Sequence, residues 1–122
     1  DSDWSSDVCS SDLLHKLKIL AKMEELDAYS HQVLIQFPKY EKHVLAAEIR
    51  STLARVIRLS VRTAKKYYKK TTLQDLDIEV EYLRSLVRKS HRLKYINTRR
   101  YKVWSAHIDE VGRMVGGWLK QL

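Results

Sequence analysis

Lysine and arginine are the residues of this chain best placed to do chemistry, because their spacing gathers them. Successive helical positions advance by about 100°. In residues 55–70, RVIRLSVRTAKKYYKK, that rotation brings Arg55, Arg58, Arg62, Lys65, Lys66 and Lys69 into one arc of about 100°. Further on, Arg84, Arg88 and Arg92 share one helical flank at i, i+4 spacing. Arg99, Arg100 and Lys102 stand at the start of another helix, where the helix dipole disfavours cations. Fixed cations in rows suit one kind of chemistry: contact with a polyanion, with phosphate groups as the expected partner. The plainer account is a solvated face. For residues 73–94 it has some force, since acids at a helix start and bases at its end suit the dipole. That covers Asp75 and Lys94 better than an arginine row reaching back to mid-helix.

The residue patterns of other chemistries are missing. A di-iron bundle needs Glu-x-x-His on its helices, and no Glu here is followed by His three positions on. His15, His31, His43, His91 and His107 form no pair at i, i+3 or i, i+4, and HEXXH, phosphate-loop and dinucleotide fingerprints are missing. One cysteine excludes an internal disulfide framework and a cysteine-based zinc site. Ser60 and Ser90 fall on apolar seams without a paired base, and His107 beside a seam reads as packed. The expectation is no catalytic constellation, no metal and no cofactor, hence a protein that is not an enzyme. Lys66-Tyr67-Tyr68-Lys69 interleaves aromatics with cations, which could stack on bases. The rotation turns Tyr67 toward the core and leaves Tyr68 free.

The formal charge is +8. Residues 1–13 hold four of the 15 acidic residues and no Lys or Arg, so the chain from residue 14 onward carries +12. For so small a domain this implies attraction to nucleic acid or another acidic partner. With 31% charged residues, three Gly and one Pro in 122 positions, the composition is helical and poor in turns. No apolar run approaches the roughly 20 residues that span a bilayer. The cationic face lacks an adjoining exposed apolar face, so a membrane partner is not expected. Nothing resembles a secretory signal, which makes a reducing cytoplasm the expected location.

Four helices must position these cations. Residues 1–13, DSDWSSDVCSSDL, have no helical period and read as a disordered leader. DWSSDVCSSDL resembles the conceptual translation of a sequencing-adapter oligonucleotide, which would make the leader an artefact and leave the true N-terminus missing. The domain is therefore 14–122. The first helix is expected over 14–36, with Ile19, Met23, Leu26, Ser30, Val33 and Phe37 as its seam and Phe37-Pro38 as its end. The second is expected from Pro38 to about Lys69. Its seam is Val44, Leu45, Ile49, Leu53, Val56 and Ile57, and Leu59 lies at the strip's edge, away from the core, as a candidate subunit contact. Thr71 and Gln74 read as a capping box for the third, whose seam is Leu73, Leu76, Val80, Leu83, Val87 and Ser90. Thr98 is expected to cap the fourth, with Trp104, Ile108, Val111, Val115 and Trp118 inside. Gly112 and Gly116, one turn apart, suggest close approach of a neighbouring helix. The resulting fold is all-α, an antiparallel up-down-up-down four-helix bundle.

Two long stretches carry a family likeness: FPKYEKHVLAAEIRSTLARVIRLSVRTAKKYYKKTTLQDLDIEVEYLRSLVR, residues 37–88, and DEVGRMVGGWLK, residues 109–120. They resemble the accessory variability determinant (Avd) proteins of diversity-generating retroelements. That family lies within a group of small bacterial four-helix-bundle proteins that also includes those encoded in intervening sequences of ribosomal RNA genes. The turn Thr-Thr-Leu-Gln-Asp-Leu-Asp and the end Glu-Val-Gly-Arg-Met-Val-Gly-Gly-Trp carry most of the resemblance. It implies a basic homopentamer that associates with the retroelement's reverse transcriptase and template RNA, supports mutagenic cDNA synthesis and retrohoming, and has no catalytic role.

The expected function is accordingly a non-catalytic accessory that binds reverse transcriptase and template RNA or cDNA. Its expected phosphate contacts are Arg55, Arg58, Arg62, Lys65, Lys66, Lys69, Arg84, Arg88, Arg92, Arg99 and Arg100. Leu59, Gly112 and Gly116 are the expected subunit or partner contacts. The alternative is a stand-alone interaction protein of the ribosomal intervening-sequence type, with a protein partner and a merely solvated basic face.

Overall fold

The computed structural model describes the backbone of residues 2–122 and the side chains of residues 14–122; the helical backbone is continuous from Ser2, where the sequence reading set 1–13 apart as a leader and began the first helix at residue 14. Four helices follow one another: α1 (Ser2–Ile35), α2 (Leu45–Lys65), α3 (Lys70–Arg92) and α4 (Thr98–Lys120). Each packs on its sequence neighbours, and α1 closes the ring on α4. Short connections between long neighbouring helices make them antiparallel, which is the up-down-up-down bundle the periodicity requires.

The seams lie inside. Ile19, Met23, Leu26 and Val33 of α1, Ile49, Leu53 and Val56 of α2, Leu73, Leu76, Leu83 and Val87 of α3, and Trp104, Ile108, Val111 and Val115 of α4 are all at most 3% exposed. Small hydroxyl residues fill narrower places on the same seams. Ser60 Oγ donates to the Val56 carbonyl at 2.8 Å and Ser90 Oγ to the Leu86 carbonyl at 3.0 Å, the usual way a helix satisfies a buried serine. The Trp104 indole N–H donates to Ser30 Oγ at 2.8 Å across the α1–α4 interface. Among the described residues no buried side-chain polar atom is left without a partner.

Beyond the start of α1, the helix ends differ from the sequence reading in four places. Pro38 does not open α2: it holds φ −55, ψ 146 and precedes a 3-10 turn at Lys39–Glu41. The chain needs that segment to cross from α1 to α2 while Phe37 stays buried against Tyr95 and Trp104. Val44 is therefore the N-cap of α2 and 64% exposed, instead of a seam residue. At its far end α2 stops at Lys65, because Lys66 turns extended at ψ 148. Tyr67 thus leaves the helical rotation and stands 87% exposed, not inward.

The capping box at Thr71 and Gln74 does not form. Helix α3 starts at Lys70 with Lys69 as N-cap and no side-chain cap hydrogen bond, and this earlier start places Thr72 and Leu73 in the core. At α4 the cap is Asn97 and not Thr98: the Arg100 backbone N–H donates to Asn97 Oδ1 at 2.8 Å. Leu59 also differs from its expected place, since it is half-buried and packed against the core.

Candidate nucleic-acid interface

Charge along the chain is segregated before it is folded. No Asp or Glu occurs between Glu48 and Asp75, nor between Glu81 and Asp109, while each gap contains eight Lys and Arg residues. The carboxylates Asp75, Asp77, Glu79 and Glu81 lie in the first half of α3. Antiparallel packing sets the register. Arg55 on α2 meets Glu79 on α3 at 3.0 Å, and Arg84 on α3 meets Asp109 on α4 at 3.0 Å.

That register divides the expected contacts into three groups. In the middle of the bundle, Arg55 and Arg84 are taken up by carboxylates of the same chain. Arg55 Nε donates to Glu79, and Arg55 Nη2 lies 3.7 Å from Glu48 and donates to Thr52 Oγ1. The hydrogen bond that Arg55 donates to Glu79 is the main reason the Arg55 pKa is raised above its ordinary value, against the opposing effect of burial. Tyr82 completes the group by donating to Glu48 Oε2 at 2.7 Å, which raises the pKa of its hydroxyl. Arg84 Nη1 donates to Glu81 while Nε and Nη2 hold Asp109. Gly112 makes room for that guanidinium, since a Cβ there would lie 3.1 Å from Arg84 Nη2. The close approach at Gly112 is thus by an arginine of the same chain. At Gly116 the Cβ position is open, with nothing within 4 Å.

At one end of the bundle stand Arg58, Arg62, Lys65 and Lys66, all exposed. Among the described residues none of these four enters an ion pair. Lys69 belongs to this end but is used differently. Its ammonium turns back under the connection to donate to the carbonyl of Thr63 at 3.0 Å and to that of Lys66, and it lies over the Trp118 ring.

The other end carries Arg88, Arg92, Arg99 and Arg100, also without ion pairs among the described residues. The α3–α4 turn is built for tightness. Tyr95 N–H bonds to the Ser90 carbonyl and Lys94 N–H to the His91 carbonyl, each at 3.0 Å. This is the double bond pattern that closes a helix through a left-handed residue. That residue is Lys94, at φ 64. A cleft of about 610 Å³ beside the turn is lined by His91, Arg92, Lys94, Tyr95, Ile96, Asn97 and Thr98. A second, of about 420 Å³, includes Arg99 and Arg100. His91 stacks flat on Tyr101 at 4.3 Å.

The two free groups are far apart. The Arg55–Glu79 register puts Arg62 opposite the start of α3, and the length of α3 at 1.5 Å per residue separates it from Arg92 by roughly 30 Å. The sequence reading saw both rows but not their separation. The signal available was the run of acids in residues 75–81, which must face the distal half of α2 once the helices are antiparallel. It also missed Lys94 and the exposed Tyr67, neither of which has a periodic signature.

No helix among the described residues is long and apolar enough to cross a membrane. A family model described as bAvd-like matches residues 17–122. No curated protein matches the chain.

Proposed function

The chain belongs to the bAvd-like family, and from that premise we propose that it is a non-catalytic accessory of a diversity-generating retroelement, binding the reverse transcriptase and its template RNA or cDNA. Arg58, Arg62, Lys65 and Lys66 form one phosphate-binding group, and Arg88, Arg92, Arg99 and Arg100 form the second. The observation that carries this is that these eight cations, unlike Arg55 and Arg84, enter no ion pair with the chain's described carboxylates. Keeping eight positive charges unpaired on a small bundle costs self-repulsion, which an external polyanion relieves. Such contacts position a strand and do not read its bases. Association with the polymerase and assembly of several copies, a pentamer by family resemblance, belong to the same reading. Gly116, like Gly117, has nothing within 4 Å of its Cβ position, which supports reading this part of α4 as open to another subunit.

The test is RNA binding over a salt series with the variant Arg62→Glu/Lys65→Glu/Lys66→Glu. Lys69 is left alone because it caps α2. Each phosphate contact with a single strand contributes about 0.7 to the slope of log affinity against log salt. Loss of three contacts should lower that slope by about 2, with helical content unchanged by circular dichroism. Equal affinity and slope in variant and parent would reject the phosphate role and favour the stand-alone interaction protein.

A further inference from the structure

The connection between α2 and α3 presents two rings where a chain reversal needs none. Tyr67 and Tyr68 are 87% and 83% exposed, more than any other large apolar or aromatic side chain among the described residues. Their rings meet edge to face, with centroids 4.8 Å apart and planes at 84°. The pair thus offers ring faces pointing in two directions. Lys65 and Lys66 precede the rings, and Lys69 and Lys70 follow them.

The rings are carried by a short, fastened segment. Lys66 N–H bonds to the Arg62 carbonyl at 3.0 Å, and Leu73 N–H bonds to the Lys69 carbonyl at 2.8 Å. Between those ends the Lys69 ammonium ties the Thr63 and Lys66 carbonyls together from below. Lys65, Lys66 and Lys70 remain without ion pairs among the described residues. An aromatic pair that is exposed, held in place and ringed by unpaired ammonium groups combines the two elements that bind unpaired nucleotides: a stacking surface and phosphate attraction. A duplex hides its base faces in its own stack, whereas a single strand can lay a base on a projecting ring.

We propose that Tyr67 and Tyr68 stack on unpaired bases of a single-stranded nucleic acid whose phosphates are held by Lys65, Lys66 and Lys70. The proposal rests on the reading of this end as a phosphate-binding surface and adds the form of strand it takes. Arg58 and Arg62, on the last turns of α2, extend the cationic surface along the strand's path.

The test separates stacking from charge. Binding of the whole chain is measured to a labelled oligo-uridine strand and to an abasic strand of the same length and charge. The parent should favour the strand with bases by about tenfold or more. Tyr67→Ala/Tyr68→Ala should bind the two strands alike while keeping the parent's salt slope, and Tyr67→Phe/Tyr68→Phe should keep the preference. The rings are exposed, so both variants should retain the parent's circular dichroism. Equal binding of the two strands by the parent, or a preference that survives the alanine variant, overturns the proposal. If the parent binds both strands equally but with a steep salt slope, stacking alone fails and the phosphate surface stands. If neither strand binds at low salt, both fail. Binding to anionic lipid vesicles that the alanine variant loses, with no preference between strands, would make the rings a lipid contact and reject the proposal.

Discussion

The Lys69 ammonium lies 5.9 Å from the ring centroid of Trp118 while it donates to the Thr63 carbonyl at 3.0 Å. One cation therefore closes the α2 C-terminus, where carbonyls lack helical partners, and reaches the last seam residue of α4. His15 of α1 stacks on the same indole at 5.5 Å, so Trp118 is where three elements meet. Lys69 contributes to the fold of this end, whereas its neighbours Lys65 and Lys66 enter no ion pair among the described residues.

That difference is measurable. Lys69→Ala should lower stability by about 1 kcal/mol, the net value of a hydrogen bond together with a favourable charge at the helix end. Lys65→Ala should change it by no more than about 0.5 kcal/mol, as an exposed substitution without partners. Urea denaturation of the two variants beside the parent would show it, and equal midpoints would contradict the capping role.

Ser30 and Trp104 form the buried polar link between α1 and α4. Ser30→Ala leaves the indole N–H unpaired in the core and should cost about 1–3 kcal/mol. In a Trp104→Phe background the same change should cost clearly less, because no donor is then stranded. A double-mutant cycle by chemical denaturation gives the coupling, and additive losses would exclude it.

Stability should fall in strong alkali through Tyr95. Desolvation pushes its hydroxyl up to about 12 from the ordinary 10.0, with the hydrogen bond to Tyr40 and the Glu41 carboxylate adding to the shift. Below pH 10 the phenol is protonated in both folded and unfolded chains. Between about 10 and 12 the unfolded chain loses the proton and the folded one keeps it, so stability declines as pH rises through that window. Comparing parent with Tyr95→Phe on either side of pH 10 should show a smaller decline in the variant.

Lys94 occupies the left-handed position that closes α3. A residue with a Cβ costs roughly 1 kcal/mol there relative to glycine. Lys94→Gly should raise thermal stability accordingly and remove one cation from the cleft beside His91 and Arg92. A stable variant with weaker RNA binding at low salt would show that the strain is kept for the charge. Unchanged binding would make Lys94 a structural residue only.

Much of the fold was legible because burial in a bundle follows a period. Ile19, Met23, Leu26, Ile49, Leu53 and Val56 needed only the rotation of a helix to be assigned to the core. The errors cluster where the rotation stops. Residues 62–69 contain neither Gly nor Pro, so nothing local marks the end of α2 at Lys65. What ends it is the reversal needed to bury Thr72 and Leu73, fixed by a lysine side chain whose capping role has no sequence signature. The same displacement exposed Tyr67 and moved the start of α3 ahead of the Thr71–Gln74 pair.

The order of residues by itself determined four amphipathic helices, their sequence of packing and two long stretches without carboxylates. Only the tertiary structure decided which cations are spent and which are free. Antiparallel packing laid Glu79 of α3 beside Arg55 of α2 and Asp109 of α4 beside Arg84 of α3, so both arginines found partners at mid-bundle, while Arg58 and Arg62 stand at one end and Arg88, Arg92, Arg99 and Arg100 at the other. Charge at a position is a property of the residue, but its availability depends on what the neighbouring helix brings alongside it.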